Sequence, residues 1–302
     1  MTNDHLTHDL SSKRAVLELR AAVMREIRRV FVAQGFLEVE TPVRVKTPAL
    51  EEHIDAEASG SKWLRTSPEL HMKRMVAAGY DKIFQIGPCF RQGERGARHL
   101  PEYTMLEWYW SGAESADLIP QTIGLLRGVA EAVGKPGAAG LDQKPLEITV
   151  AEVFQTRAGW NPVEAFDADR FDLDLVEKVE PWISEQERPV FLKDFPAERA
   201  ALARFRAEDP AVADRWELYL GGMELANAYT ELTDPAEQRE RFERCAALRR
   251  KEGREVYPLD EPFLMALERG MPACAGIALG VDRFLMLLAG EKDISGVVAF
   301  VD

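Results

Sequence analysis

The chain has 302 residues, 46% of them hydrophobic, and a formal net charge of −13. That is enough apolar material for one large domain or two small ones, while the acidity argues against a broad, non-specific grip on nucleic acid and would suit a basic protein partner. Three scattered cysteines (Cys89, Cys245 and Cys274) give neither a disulfide framework nor zinc spacing, no apolar run reaches membrane-spanning length, and MTNDHLTHDL does not read as a signal, so a reducing cytoplasm is the expected setting.

In chain order, residues 13–34 predict an amphipathic helix, with Val16, Leu19, Val23, Ile27, Val30 and Phe31 on one stripe, Ser11 or Ser12 as its cap and Gly35 as its stop. Gly35–Pro42 predicts a short strand ended by proline. Residues 43–65 predict irregular strands with a hairpin turn at Ala58-Ser59-Gly60-Ser61. Within them Glu51, Glu52, His53 and Asp55 read either as a metal cluster or as a solvated acidic loop. Thr66-Ser67-Pro68-Glu69 predicts a helix start, with Ser67 as cap, Pro68 at the first position and Glu69 in the first turn; the helix runs to Gly79.

Residues 82–110 predict a long antiparallel hairpin with a basic tip containing Arg91, Arg95 and Arg98. Its second strand alternates: Thr104, Leu106, Trp108 and Trp110 read as core, while Tyr103, Met105, Glu107 and Tyr109 share the other face. A carboxylate among aromatics makes a poor core but a good wall for a cation or a heterocycle. An ordinary amphipathic hairpin accounts for the stretch equally well. A helix over 115–133 follows, then the linker-like stretch 134–145, GKPGAAGLDQKP. Residues 146–210 predict a helix over 171–183, a strand over 189–195 and a helix over 197–207.

In Arg215–Leu232, Gly221-Gly222 predicts a two-residue hairpin turn that pairs Tyr219 with Glu224 and puts Glu217 on the same face. Two carboxylates about 4 Å apart repel by about 4 kcal/mol at an effective dielectric near 20, which a divalent cation would relieve. Glu224, Asn227 and Glu231 fit a helical spacing or a bulged strand, and spacing alone does not decide. Asp234-Pro235 opens a charged helix to about Glu252 that reads as a solvated face; Asp260 caps another through Glu268. Cys274–Gly290 predicts an apolar strand running into an apolar helix. Arg283 in its first turn needs an anionic partner, and Gly276 and Gly280 would let a ligand approach the backbone. Neither a Walker loop nor a GxGxxG fingerprint is present.

Three pieces then coincide. The Gly35–Pro42 strand with its helix, the Phe90-Arg91 hairpin and GIALGVDR resemble motifs 1, 2 and 3 of class II aminoacyl-tRNA synthetases, in the same order and separation, across nearly the whole chain. TSPELHMKR, PEYTMLEWY and ELANAYTEL narrow the resemblance to the lysine branch. Motif 1 begins within the first forty residues, leaving no room for an anticodon-binding OB domain, so the nearest likeness is to the short paralogues that ligate (R)-β-lysine to elongation factor P.

The resemblance implies an α+β fold with an antiparallel sheet flanked by helices, a single catalytic domain over 1–302, and a homodimer paired through motif 1. It implies an ATP-dependent ligase using Mg²⁺, which activates (R)-β-lysine or lysine as an adenylate and passes it to a lysine side chain of elongation factor P. Arg91 and Arg283 would hold the phosphates, Tyr103 would stack on adenine, and Gln92, Gly93, Glu94, Leu100, Glu224, Leu225 and Gly280 would complete the ATP site. Glu217 and Glu224 would bind the metal. Ser67, Pro68, Glu69, Glu107, Tyr109, Asn227, Glu231 and Ala278 would surround the amino acid. Two departures stand out: Gly93 occupies the place of the usual motif 2 glutamate, with Glu94 one position later, and Leu100 stands where the family has asparagine. Ala278, where lysyl-tRNA synthetases tend to have glycine, would disfavour α-lysine and suit a β-amino acid. Two alternatives are a truncated synthetase that charges tRNA or another small acceptor, which the acidity and missing OB domain count against, and an inactive synthetase-like binding protein.

Overall fold

The computed structural model describes residues 10–301. The strands are β1 (Leu37–Glu38), β2 (Arg44–Val45), β3 (Ala58–Ser59), β4 (Lys62–Leu64), β5 (Lys82–Phe90), β6 (Glu102–Ser111), β7 (Leu146–Thr149), β8 (Val190–Pro196), β9 (Val212–Leu220), β10 (Met223–Thr230) and β11 (Cys274–Gly280). The helices are α1 (Arg14–Ala33), α2 (Glu69–Ala77), α3 (Ser115–Ala132), α4 (Val150–Arg157), α5 (Ala168–Asp174), α6 (Glu180–Ser184), α7 (Pro235–Lys251), α8 (Glu261–Glu268) and α9 (Val281–Ala289). Eight strands form one sheet in the order β1-β5-β6-β11-β10-β9-β8-β7, and β2-β4-β3 form a second. The large sheet is antiparallel except at its margins, where β1 joins β5 and β7 joins β8 in parallel.

Strand periodicity divides the core. Leu106 and Trp108 of β6 face a layer containing Val23, Ile27 and Phe31 of α1, Leu126 of α3 and Phe284 of α9. Tyr109, on the opposite face, joins Leu70 and Val76 of α2, Phe242 of α7 and Phe263 of α8. A third cluster packs Phe154, Phe171 and Ile183 onto Leu192 at the β7–β9 end of the sheet. The turn-rich stretch 134–145 is held by Arg127, which donates to the carbonyls of Leu141 and Gln143 (2.8 Å each), before the chain rejoins the same sheet as β7.

Several local expectations change. Residues 10–12 already form a helical turn, so Lys13 rather than Ser11 or Ser12 stands at the N-cap of α1. The Gly35–Pro42 strand shrinks to two residues, because the Thr41 carbonyl is taken by the Arg65 guanidinium (2.9 Å) instead of a strand partner. Ser67 does not cap α2; Pro68 holds the cap position. The 171–183 helix is interrupted by a π-helical stretch, Leu175–Val179. The 197–207 helix reduces to one 3₁₀ turn, Ala197–Arg199: Ala201 turns at φ +49°, and Ala203 and Phe205 then bridge to Glu231 and Ala213 in extended form.

The largest change concerns α7. It buries Gln238, Arg241, Phe242, Cys245, Ala246 and Arg249 instead of lying as a solvated face. Arg249 is fully enclosed and donates to the carbonyls of Glu51 (2.8 Å), Ile54 (3.0 Å) and Glu255 (2.8 Å) and to the Asp55 carboxylate (2.5 Å). Asp55 is thus committed to Arg249 and Arg254, and no group of three or more His, Cys, Asp or Glu side chains placed to hold a metal forms among the described residues, so the acidic 51–55 loop is a structural element. Replacing Arg249 by Met would leave these carbonyls unsatisfied. The expected loss is about 2–4 kcal/mol of stability, read as a lower denaturant midpoint at unchanged slope; a shift under about 0.5 kcal/mol would contradict this role.

Candidate active site

The site is laid out on one face of four adjacent strands. Their register aligns Glu107 of β6, Ala278 of β11, Asn227 of β10 and Glu217 of β9 in one row, with Tyr109, Gly276, Tyr229 and Arg215 in the next. Gly221-Gly222 forms the two-residue turn between β9 and β10, both residues at positive φ, and pairs Met223 with Leu220. A bulge between Glu224 and Ala226 then shifts the register by one, bringing Glu224, Asn227 and Tyr229 onto the cavity face. The spacing that fitted either a helix or a bulged strand is therefore a bulged strand.

One end of the cavity is acidic. Lys73 of α2, with 0% side-chain exposure, lies 2.5 Å from both the Glu69 and Glu231 carboxylates. Burial alone would lower the pKa of Lys73, but Glu231 and Glu69 reverse this and hold it charged. Glu107 accepts a hydrogen bond from the Tyr109 hydroxyl (2.7 Å), and its other oxygen has no partner; Ser67 Oγ and Asn227 Oδ1 are likewise buried and unpartnered. Burial, reinforced by Glu69, raises the pKa of both Glu107 and Glu231. Gly276 is required here for a reason other than ligand approach: a Cβ would lie 2.2 Å from Glu231 Oε1 and 2.4 Å from the Tyr109 ring.

The other end is basic. Arg91 packs its guanidinium over the Tyr103 ring (5.3 Å to the centroid), pairs with Glu94 at 3.7 Å, and leaves its buried Nε without a partner. Gly93 turns at φ +76°, and Glu94, one position later, lines the cavity. Arg283 donates to the Glu224 carbonyl (2.6 Å) and lies 2.5 Å from His99 Nε2. Its helix is fixed by Asp282, which accepts from the Thr104 N–H (2.6 Å) and from Arg20 (2.5 Å), locking α9 to β6 and α1. Leu100, Leu225 and Gly280 line the space between.

Glu217 stands beside this cavity instead of on its wall, bound to Arg215 (2.5 Å) and to the Tyr219 hydroxyl (3.0 Å). Burial raises its pKa, which Arg215 lowers and Glu224 raises again. Glu224 is 42% exposed at the cavity edge, 3.7 Å from Arg283. A buried carboxylate held above its usual range beside a second one is a donor set that fits a hard divalent cation.

Among the other expected residues, Pro68, Gln92 and Gly93 do not line the cavity, whereas Ser67, Glu69, Arg91, Glu94, Leu100, Tyr103, Glu107, Tyr109, Glu224, Leu225, Asn227, Glu231, Ala278, Gly280 and Arg283 do. The sequence reading missed Lys73, Tyr229 and His99, and it took Glu51, which lines the cavity, for part of a metal cluster or a solvated acidic loop. Only Lys73 left a signal: it lies four residues after Glu69 in a helix, on the same face.

An antiparallel sheet carrying arginines at one end of a cavity and carboxylates at the other, with motif 1, 2 and 3 elements on its margin, centre and adjoining helix, defines a class. The chain matches tRNA synthetases class II (D, K and N) over residues 1–302 and belongs to that family. It is 41% identical over 312 residues to the elongation factor P–(R)-β-lysine ligase of Mannheimia succiniciproducens, with 93% of each chain covered. The ligases of the same name from Vibrio cholerae (41% over 306 residues, 94% of each chain) and Proteus mirabilis (39% over 312 residues, 96% of each) are similarly close. The chain is an ATP-dependent ligase on the class II fold. No helix among the described residues is long and apolar enough to cross a membrane.

The raised carboxylates give a thermodynamic signature. In the empty site Glu107 and Glu231 hold protons into a pH range where they would be ionised in water, and ammonium groups placed against them drive those protons off. Binding of a diamino acid near pH 7 is expected to release protons, measured by calorimetry in two buffers of different ionisation enthalpy. Zero release, or net uptake, would show that these carboxyl groups do not meet the amines.

Proposed function

We propose that this chain activates (R)-β-lysine or lysine with ATP and transfers it to a lysine side chain of elongation factor P. The observation that carries the reading is charge. Glu69, Glu107 and Glu231 supply three carboxylates and Lys73 one ammonium, so two negative charges remain when all are ionised. A lysine isomer brings two ammonium groups. Its relatives' name supplies the rest: they are named as ligases joining (R)-β-lysine to elongation factor P.

In this reading Ser67, Glu69, Glu107, Tyr109, Asn227 and Glu231 hold the amino acid, with its carboxylate directed toward Arg91. Arg91 and Arg283 bind the phosphates, Tyr103 stacks on adenine, and Glu94, Leu100, Glu224, Leu225 and Gly280 complete the nucleotide site. Glu217 and Glu224 would hold Mg²⁺, which neutralises phosphate charge when bound. The amino-acid carboxylate then attacks the α-phosphorus in line, forming the C–O–P anhydride of the adenylate as the bond to the α–β bridging oxygen breaks and pyrophosphate leaves; positioning and charge stabilisation suffice, without a protein nucleophile. The catalytic unit is a single domain acting as a homodimer, with elongation factor P rather than tRNA as acceptor. The Ala278 methyl, aligned between Glu107 and Asn227, supports a preference for the β-amino isomer.

Two experiments test this. Labelled α-lysine and (R)-β-lysine are offered with ATP and Mg²⁺, and transfer is followed to elongation factor P and separately to tRNA. Label on elongation factor P alone is expected; label on tRNA alone would make the enzyme a synthetase, and label on neither, without pyrophosphate exchange, would make it inactive. Ala278→Gly is expected to shift the α/β preference toward α-lysine by about tenfold, the range for one methyl in a pocket; an unchanged ratio would remove Ala278 from the specificity argument.

A further inference from the structure

Glu51 has no part in the roles assigned so far. It lies on the cavity wall, half-buried, and its carboxyl makes no hydrogen bond or ion pair with a described residue. Its main chain is fixed: Arg249 grips its carbonyl (2.8 Å), and Gln92 N–H of the hairpin loop donates to the Asp55 carbonyl (2.7 Å). The charged groups around the carboxyl come from both ends of the site. Arg91 and Glu94 of the hairpin loop, Glu69 of α2 and the Tyr103 and Tyr229 rings of β6 and β10 line the same cavity, and these charges together with Arg215 of β9 act on the carboxyl electrostatically. Glu51 therefore stands where the phosphate grip of Arg91 meets the amine grip of Glu69. On the reading proposed above, on which this inference rests, that junction holds the anhydride linking the amino-acid carboxyl to the α-phosphate.

We propose that Glu51 is the general base of the transfer step, receiving a proton from the acceptor's lysine amine as that amine attacks the activated carboxyl. The acceptor ammonium first loses one proton to solvent. Its lone pair then forms the C–N bond at the carbonyl carbon, Glu51 takes a second proton from that nitrogen, and the C–O bond to phosphate breaks with AMP leaving on the electron pair. One N–H remains on the new amide. Burial, partly offset by Arg91 and reinforced by Glu69 and Glu94, pushes Glu51 up to about 7, a value suited to taking a proton near neutral pH and releasing it again. The side chain is not part of the Arg249 anchor, so Glu51→Gln leaves the loop's fixings in place.

The test compares two half-reactions of the full-length enzyme: lysine-dependent ATP–pyrophosphate exchange, and single-turnover transfer from the preformed aminoacyl-adenylate to elongation factor P. In Glu51→Gln, transfer is expected to fall at least about 100-fold more than exchange, with partial recovery in Glu51→Asp. The wild-type log rate of transfer should rise with one extra unit of slope below about pH 7, and the Gln variant should lose that extra slope. Equal losses in both half-reactions would make Glu51 a binding group and overturn the proposal, as would undiminished transfer. Absence of exchange in the wild type with either lysine isomer would fail the underlying reading, and so would be distinguished from failure of Glu51 alone.

Discussion

The site depends on the ammonium of Lys73 held between Glu69 and Glu231 without access to water. A lone buried ammonium would be neutral, and a cluster of buried carboxylates would protonate. Between the two carboxyl groups Lys73 stays charged, and the pairing fixes α2 against the end of β10. Truncating one partner would leave the others uncompensated, which costs far more than the ion pair contributes against water. The glycine at 276 belongs to the same constraint, because only a residue without a side chain lets Glu231 and Tyr109 occupy the space over β11.

The sheet acts as a ruler around that contact. Antiparallel register places every second residue of β6, β10 and β11 on one surface, and the bulge after Glu224 adjusts the phase so that the acidic groups at one end and Glu224 at the other lie on the same side. The helices set the rest of the geometry through few ties. Asp282 joins α9 to β6 and α1, directing Arg283 inward, and Arg249 of α7 holds the loop that carries Glu51. The carboxylate-rich and arginine-rich ends of the cavity thus sit on one surface, separated along the strands; in the function proposed above, the linkage to be formed lies between them.

Much of this is visible in the amino-acid sequence where a local rule dictates the outcome. The period of two from Tyr103 to Trp110, the Gly221-Gly222 turn and the apolar stripe of α1 are each properties of a short segment, and the structure has all three. What escaped the sequence depends on contacts between distant segments. Lys73 and Arg249 are charged helix residues that locally read as solvated; their burial comes from Glu231 and from the carbonyls of the 51–55 loop. Ser67 carries a helix-cap signature, yet its hydroxyl faces the cavity unpartnered. The bulge at Leu225 adds one residue without a distinctive signal, so the spacing of Glu224, Asn227 and Glu231 had two readings until pairing with β9 was seen.

The central claim is that the pocket's uncompensated charge is matched by two ammonium groups. The most direct measurement is kcat/KM for ATP–pyrophosphate exchange with lysine and with norleucine, which has the same α-carbon groups and side-chain length to the last carbon but lacks the terminal amine. Leaving a buried carboxylate without its ammonium partner should reduce kcat/KM by about 10⁴-fold or more, as for other sites built around a buried polar group. Discrimination of only about tenfold would mean that the pocket reads side-chain shape, and the charge-matching account would be wrong.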